Sequence, residues 1–181
     1  MRPGLTALRT IVGALFVGHG TQKLFGWFEG NGLEATAQFF EGIGLRPGRR
    51  HALAAGAAET GGGALLLLGR ANPFAAAVLT ATMLTAIRRV HLQNGPWATK
   101  GGYEYNLVLI AAALALAAPS HRGREGGERD WPWALGALLA GVAGAAGAEL
   151  AARAGQPPAA PETAARNGTG QAGEGAAAST S

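Results

Sequence analysis

Apolar residues fall along this chain in long blocks rather than in alternation. The first block runs from Leu5 to Phe25, the second from His51 to Leu68, the third from Phe74 to Val90 and the fourth from Tyr105 to Ala118. A bilayer's hydrocarbon core takes about 20 helical residues at a rise of roughly 1.5 Å each. The blocks therefore predict four transmembrane helices, the fourth reaching spanning length when Tyr103 and Glu104 sit in the interface. Breakers separate them: Gly69, Arg70, Asn72 and Pro73 make a polar turn with a helix-stopping proline, and Arg88, Arg89 and His91 close the third block. A fifth block, Trp131 to Leu150, opens with Trp131, Pro132 and Trp133, the pattern of an aromatic interface anchor. The strict alternation of barrel strands is missing, so helices must satisfy the backbone polar groups. The predicted fold is all-α, an integral membrane bundle of four core helices and a fifth. Residues 1–118 form the membrane domain, 119–130 a polar hinge, 131–153 the fifth helix and 154–181 a disordered tail rich in Ala, Gly and Pro.

The loop from Gly26 to Arg50 has a pattern of its own. Leu33, Ala37, Phe40 and Ile43 recur at helical spacing after Asn31, which predicts a short amphipathic helix lying on the membrane surface. Small residues recur every four positions at Ala52, Gly56, Thr60 and Ala64, and again at Gly136, Ala140, Gly144 and Ala148. Such stripes let helix backbones approach closely, although a chain this rich in Ala and Gly also produces them by chance. Arg2 precedes the first block as in a signal peptide. That block contains Arg9, runs on to Lys23 and has no clear small-residue cleavage site, so it is expected to be retained.

Composition agrees with lipid as the main solvent. Of 181 residues, 48% are hydrophobic and only 14% charged, too few charges to coat an ordinary soluble globule. The mean hydropathy of +0.14 is diluted by the tail. With no cysteine, thiolate nucleophiles, disulfide exchange, iron–sulfur clusters and cysteine zinc sites are excluded within the chain, so redox chemistry needs a cofactor or a partner. The net charge of +4 comes from arginines at block ends, which suits anionic lipid headgroups. Without aromatics interleaved among basic residues, nucleic acid is not an expected partner.

If the helices alternate in direction, the end of the first, the start of the second, the end of the third and the start of the fourth share one face. That gathers His19, Gln22 and Lys23 with Arg88, Arg89 and His91, and with Tyr103, Glu104 and Asn106. Glu59, about 12 Å along its helix from His51, lies deeper below the same face, and His19 is recessed one turn inside Lys23. A lone Asp, Lys or Arg at such depth costs about 2.5 to 3.5 kcal/mol on insertion scales, so partners are expected: Glu59 with Lys23 or His19, and Glu104 with Arg88 or Arg89. Lys23, Arg88 and Arg89 can equally snorkel to headgroups. Glu59, shorter and deeper, requires an internal partner, and that pairing can be structural alone. His91 reads as an interfacial side chain, and no close ligand spacing among His19, His91 and Glu59 supports a metal. Gly61 to Gly63 is no phosphate loop, because no Lys-Ser or Lys-Thr follows it. Lys and Arg divide almost evenly between the two faces, so orientation is not determined.

The segments GALFVGHGTQKLFGWF, AAETGGGALLLLG, MLTAIRRVHLQNGPW and GGYEYNLVLIAAALAL, in this order and spacing, resemble the DoxX family of small membrane proteins across about residues 5 to 118. The His-Gly-x-Gln-Lys element at 19–23 and Tyr-Glu-Tyr-Asn at 103–106 carry the resemblance. It implies a multi-pass protein of the bacterial inner or plasma membrane, associated with membrane oxidoreductase or oxidative-stress complexes. It also implies a link to quinone or sulfur redox chemistry, with oxidoreductase subunits or further copies of the chain as partners. Whether the chain is itself catalytic stays open. The alternatives are a small-molecule or proton-coupled transporter, for which no pair of matching broken helices is present, and a non-catalytic membrane scaffold.

Overall fold

The computed structural model describes residues 3–70, 72–118 and 131–156. The expected hinge at 119–130 and the tail from 157 onward lie outside the described residues. Among the described residues the chain is helical and contains no strand. Six helices follow in order: α1 Pro3–Phe25, α2 Gly32–Gly42, α3 Gly48–Leu68, α4 Asn72–Ala86, α5 Glu104–Ala115 and α6 Trp131–Ala154. The amphipathic segment predicted after Asn31 is α2. Helix α4 continues without interruption into a π-helical turn, Ile87–His91.

Helix ends follow local chemistry. Gly69 ends α3 in the left-handed region at φ 64°. Its N–H donates to the Leu66 carbonyl and that of Arg70 to the Leu65 carbonyl, each at 3.0 Å. These two bonds form a Schellman motif, which satisfies carbonyls that the helix leaves open. The next helix starts at once, with Pro73 in its first turn where a missing N–H costs nothing.

The long helices α1, α3, α4 and α5 alternate in direction along the chain. Gly13 of α1 faces Gly63 of α3, and Gly20 faces Gly56 and Thr60, so residue numbers rise along one helix as they fall along the other. A Cβ on Gly63 would lie 2.7 Å from the Gly13 carbonyl oxygen and 2.8 Å from the Val17 nitrogen. The two backbones therefore touch. Gly62 abuts Leu79 of α4, Asn106 of α5 reaches Met83, and the Asn72 amide donates to the Ala118 carbonyl at 3.1 Å. Phe16, Leu66, Leu79, Met83, Leu109 and Ile110 fill the space between these helices.

Helix α6 packs on α4 and runs parallel to it. Gly141 lies against Thr80 and the Ala77 carbonyl, Gly144 against Ala81, and Glu149 against Arg88 and Arg89. The small-residue stripe on α6 is displaced from the one expected, because Gly136 faces open space while Ala137 is buried. A line of every fourth residue drifts about 40° per step around a helix of 3.6 residues per turn. The contact line therefore passes through 137, 141 and 144. By length and composition, α6 is the one helix among the described residues that is long and apolar enough to cross a membrane.

Candidate functional site

The last turn of α1 is built around four residues, His19, Gly20, Gln22 and Lys23, with separate tasks. Gly20 leaves room for α3, since a Cβ there would collide with Thr60. Gln22 Oε1 accepts a hydrogen bond from His19 Nδ1 at 3.2 Å, and its Nε2 donates to the Phe28 carbonyl at 3.2 Å. That bond ties down a tight return in which Phe28 and Glu29 both sit at positive φ, 53° and 61°, a strained conformation for residues with a Cβ. Lys23 points at α3, where its Nζ donates to Glu59 Oε2 at 2.6 Å and to the His19 carbonyl at 3.4 Å. The Glu59 side chain is 3% exposed and that of Lys23 27%. The expected Glu59 pair is present, with Lys23 as its partner.

The other expected pair is not. Glu104 makes no ion pair with Arg88 or Arg89; its Oε1 accepts the Ala98 N–H at 2.8 Å while its own N–H donates to the Pro96 carbonyl at 2.8 Å. It fastens the α4 to α5 connection, which His91 also holds by a 2.7 Å bond from Nδ1 to the Gly101 carbonyl. Because a carbonyl only accepts, this fixes the proton on Nδ1. Tyr103 occupies the position just before α5, its N–H donating to the Gly95 carbonyl at 3.2 Å. The arginines pair instead with Glu149 of α6. Arg88 reaches both carboxylate oxygens at 3.3 Å, Arg89 Nη2 lies 2.7 Å from Oε2, and Arg153 adds a contact at 3.4 Å. Arg89 also donates to the Ile43 carbonyl at 3.2 Å, joining the α2 to α3 connection to α4 and α6.

Glu149 was missed as a site residue, yet a signal for it exists. It is the sole acidic residue between Trp131 and Ala154, and an acid in an apolar helix calls for a partner as strongly as Glu59 does.

A cavity of about 880 Å³ is lined by residues of all six helices. His19, Lys23, Glu59, His91 and Asn106 line it, with Arg89. A smaller and more polar pocket of about 310 Å³ adjoins it, where Gln22 joins His19 and Lys23. Arg88, Tyr103 and Glu104 belong to neither lining, so the predicted cluster divides into cavity residues and residues that hold loops or helices in place. Among the described residues, no group of three or more His, Asp or Glu is placed to hold a metal ion.

Among the described residues the fold is all-helical, and the Lys23–Glu59 pair stands in the wall of a largely apolar cavity. The DoxX family model matches residues 4–92, from α1 through the π turn. A Bacillus subtilis (strain 168) protein named "Putative oxidoreductase CatD" is 34% identical over 113 residues, 62% of this chain and 78% of that protein. The chain belongs to the DoxX family. The family model ends before Tyr103 to Asn106. No solved structure matches the chain.

Proposed function

We propose that this chain is a multi-pass protein of the bacterial cell membrane that serves an oxidoreductase as membrane subunit or accessory. Lys23 and Glu59 would hold a quinone headgroup in its cavity. Family membership and the relative named as an oxidoreductase support the redox assignment. Insertion is supported by the lengths of α1 and α3, 23 and 21 residues, and by α4 with its π turn, 15 and 5 residues, close to the roughly 20 that a bilayer requires. It also accounts for Ile11, Leu68, Phe74, Val108 and Leu139, each at least 60% exposed. Apolar surface spread over several helices in this way is costly in water.

One observation carries the functional reading: the 2.6 Å Lys23 to Glu59 pair forms part of a cavity wall instead of lying in packed core. An ammonium has three N–H groups. One donates to Glu59 and one to the His19 carbonyl, which leaves the third for a carbonyl oxygen of a bound ring. The Glu59 carboxylate is placed to exchange a proton with that oxygen as the ring is reduced by electrons from the partner enzyme, the role of a general acid or base. Glu59→Gln keeps the shape and removes the proton exchange. Quinone-dependent turnover in membranes should then fall by about tenfold or more at unchanged protein abundance. Equal turnover at equal abundance would remove Glu59 from the mechanism.

A further inference from the structure

The end of α6 carries an imbalance of charge that the fold does not resolve. Three arginines, Arg88, Arg89 and Arg153, converge on the one carboxylate of Glu149. Its two oxygens meet Arg88 Nε and Nη2 at 3.3 Å, Arg89 Nη2 at 2.7 Å and Arg153 Nε at 3.4 Å, which fills the roughly four lone-pair positions a carboxylate offers. Among the described residues no other carboxylate pairs with any of the three. The cluster therefore keeps an excess of positive charge. It is also short of acceptors. Arg89 Nη1 donates to the Ile43 carbonyl at 3.2 Å, yet its Nε is buried with no hydrogen-bond partner. Arg88 and Arg153, whose side chains are 59% and 63% exposed, each have further N–H groups that Glu149 does not take.

The surface beside this cluster has an apolar part that leads up to it. At roughly 100° per residue, Leu135, Leu139, Val142, Leu150 and Arg153 fall within an arc of about 80° on α6, and all five are exposed. The stripe faces away from α4, because Ala137, Gly141 and Ala152 occupy the buried side. It ends at Arg153 in the last turn of the helix. A hydrocarbon chain lying on the stripe thus has its head among the arginines. The loop of Arg46 and Pro47 packs on Gly155 just past Arg153, and the exposed Arg46 adds one more positive side chain to this end of the molecule.

We infer that the seam where the π turn of α4 meets α6 binds an anionic phospholipid, with its phosphate at Arg88 and Arg153, Arg89 behind them, and its acyl chains along the exposed stripe of α6. A phosphate presents several charged acceptor oxygens, which the planar fork of arginine matches two at a time. Net charge selects among lipids. A zwitterionic head brings its own cation to a place that already holds excess positive charge, whereas an anionic head supplies the negative charge that Glu149 alone does not. The inference rests on the bilayer reading proposed above and is independent of the quinone. It gives a task to α6, which lies beyond the residues that the family model matches.

The test uses the full chain purified in a neutral detergent and measures dissociation constants for phosphatidylglycerol, phosphatidylcholine and inorganic phosphate. Phosphatidylglycerol should bind more tightly than phosphatidylcholine by about tenfold or more. The paired substitution Arg88→Gln with Arg153→Gln should abolish that preference and leave phosphatidylcholine unchanged. Arg88→Lys with Arg153→Lys keeps the charge and should bind phosphatidylglycerol more tightly than the glutamine pair does. Arg70→Gln, exposed at the far end of the bundle, should change nothing. The inference is overturned if the two lipids bind alike, or if both paired variants lose binding equally, which would indicate a disturbed helix end. It is overturned too if Arg70→Gln weakens phosphatidylglycerol as much as the glutamine pair, making the attraction one of net charge alone, or if inorganic phosphate competes equally well, making a free anion the occupant. Retention in membranes through an alkaline carbonate wash tests the bilayer reading by itself. A chain that washes out fails that reading, and a retained chain without lipid preference fails this inference alone.

Discussion

An ammonium and a carboxylate brought together with the carboxylate almost fully buried add little net stability compared with an apolar pair of the same volume, but separating them is costly. Lys23→Met should therefore lower stability by about 3–5 kcal/mol, while the double variant Lys23→Met with Glu59→Leu recovers most of that loss, as read from thermal unfolding in detergent. A double variant no more stable than the single one would mean that the pair is not what the neighbouring packing tolerates poorly. Glu59 and Lys23 were legible in the sequence because depth, charge and opposite helix ends left few alternatives. The partner of Glu104 was not legible. Two arginines beside two acids on different helices admit more than one pairing, and the choice was made by α6, whose position no local pattern reveals. Glu104 and Gln22 turned out to hold loops. For Glu104→Ala, which leaves the exposed Ala98 N–H to water instead of its carboxylate, the expected cost is about 0.5–1.5 kcal/mol of stability with quinone affinity unchanged.

Between elements, glycine decides how closely helices approach. On α3 a Cβ at Gly61 would meet nothing within 4 Å, while one at Gly63 would press on the backbone of α1. Gly61→Ala should stabilise the protein by up to about 1 kcal/mol through helix propensity. Gly63→Ala should destabilise it by about 1–3 kcal/mol through overpacking, and parallel melting curves of the two variants check the contrast. A neutral Gly63→Ala would mean that α1 and α3 are not in backbone contact. The stripe through Gly56 and Thr60 was readable from four-residue spacing, but Gly13 and Gly20 were not, since seven-residue spacing on a helix with other glycines gives no local sign of which face is used. Helix α6 depends on Glu149 in the same way. Glu149→Ala leaves Arg89, whose side chain is only 17% exposed, without a carboxylate. The variant should make the α6 end susceptible to limited proteolysis while α1 to α5 stay protected.

At the scale of the molecule, hydrophobic blocks and their breakers gave the number and order of the helices, because long apolar runs closed by Gly69, Pro73 and the Arg88 to His91 group leave little freedom in where helices stop. That α6 runs alongside α4 and brings its acid to the arginines was hidden, because a helix made mainly of Ala, Gly and Leu carries no side chain that names its neighbour. The alternating directions of α1, α3, α4 and α5 bring the α1 to α2 and α4 to α5 connections to one end of the bundle and the α3 to α4 turn to the other. If the bundle is threaded through a bilayer as proposed, those ends face different compartments. The native chain has no cysteine, so single cysteines can be introduced at exposed positions without background: Gly42→Cys and Gln93→Cys at the site end, Arg70→Cys at the far end. In intact cells a membrane-impermeant maleimide should label the first two alike and Arg70→Cys oppositely. Labelling of all three from the same side would contradict the threading, and with it the cavity in which Lys23 and Glu59 are proposed to act.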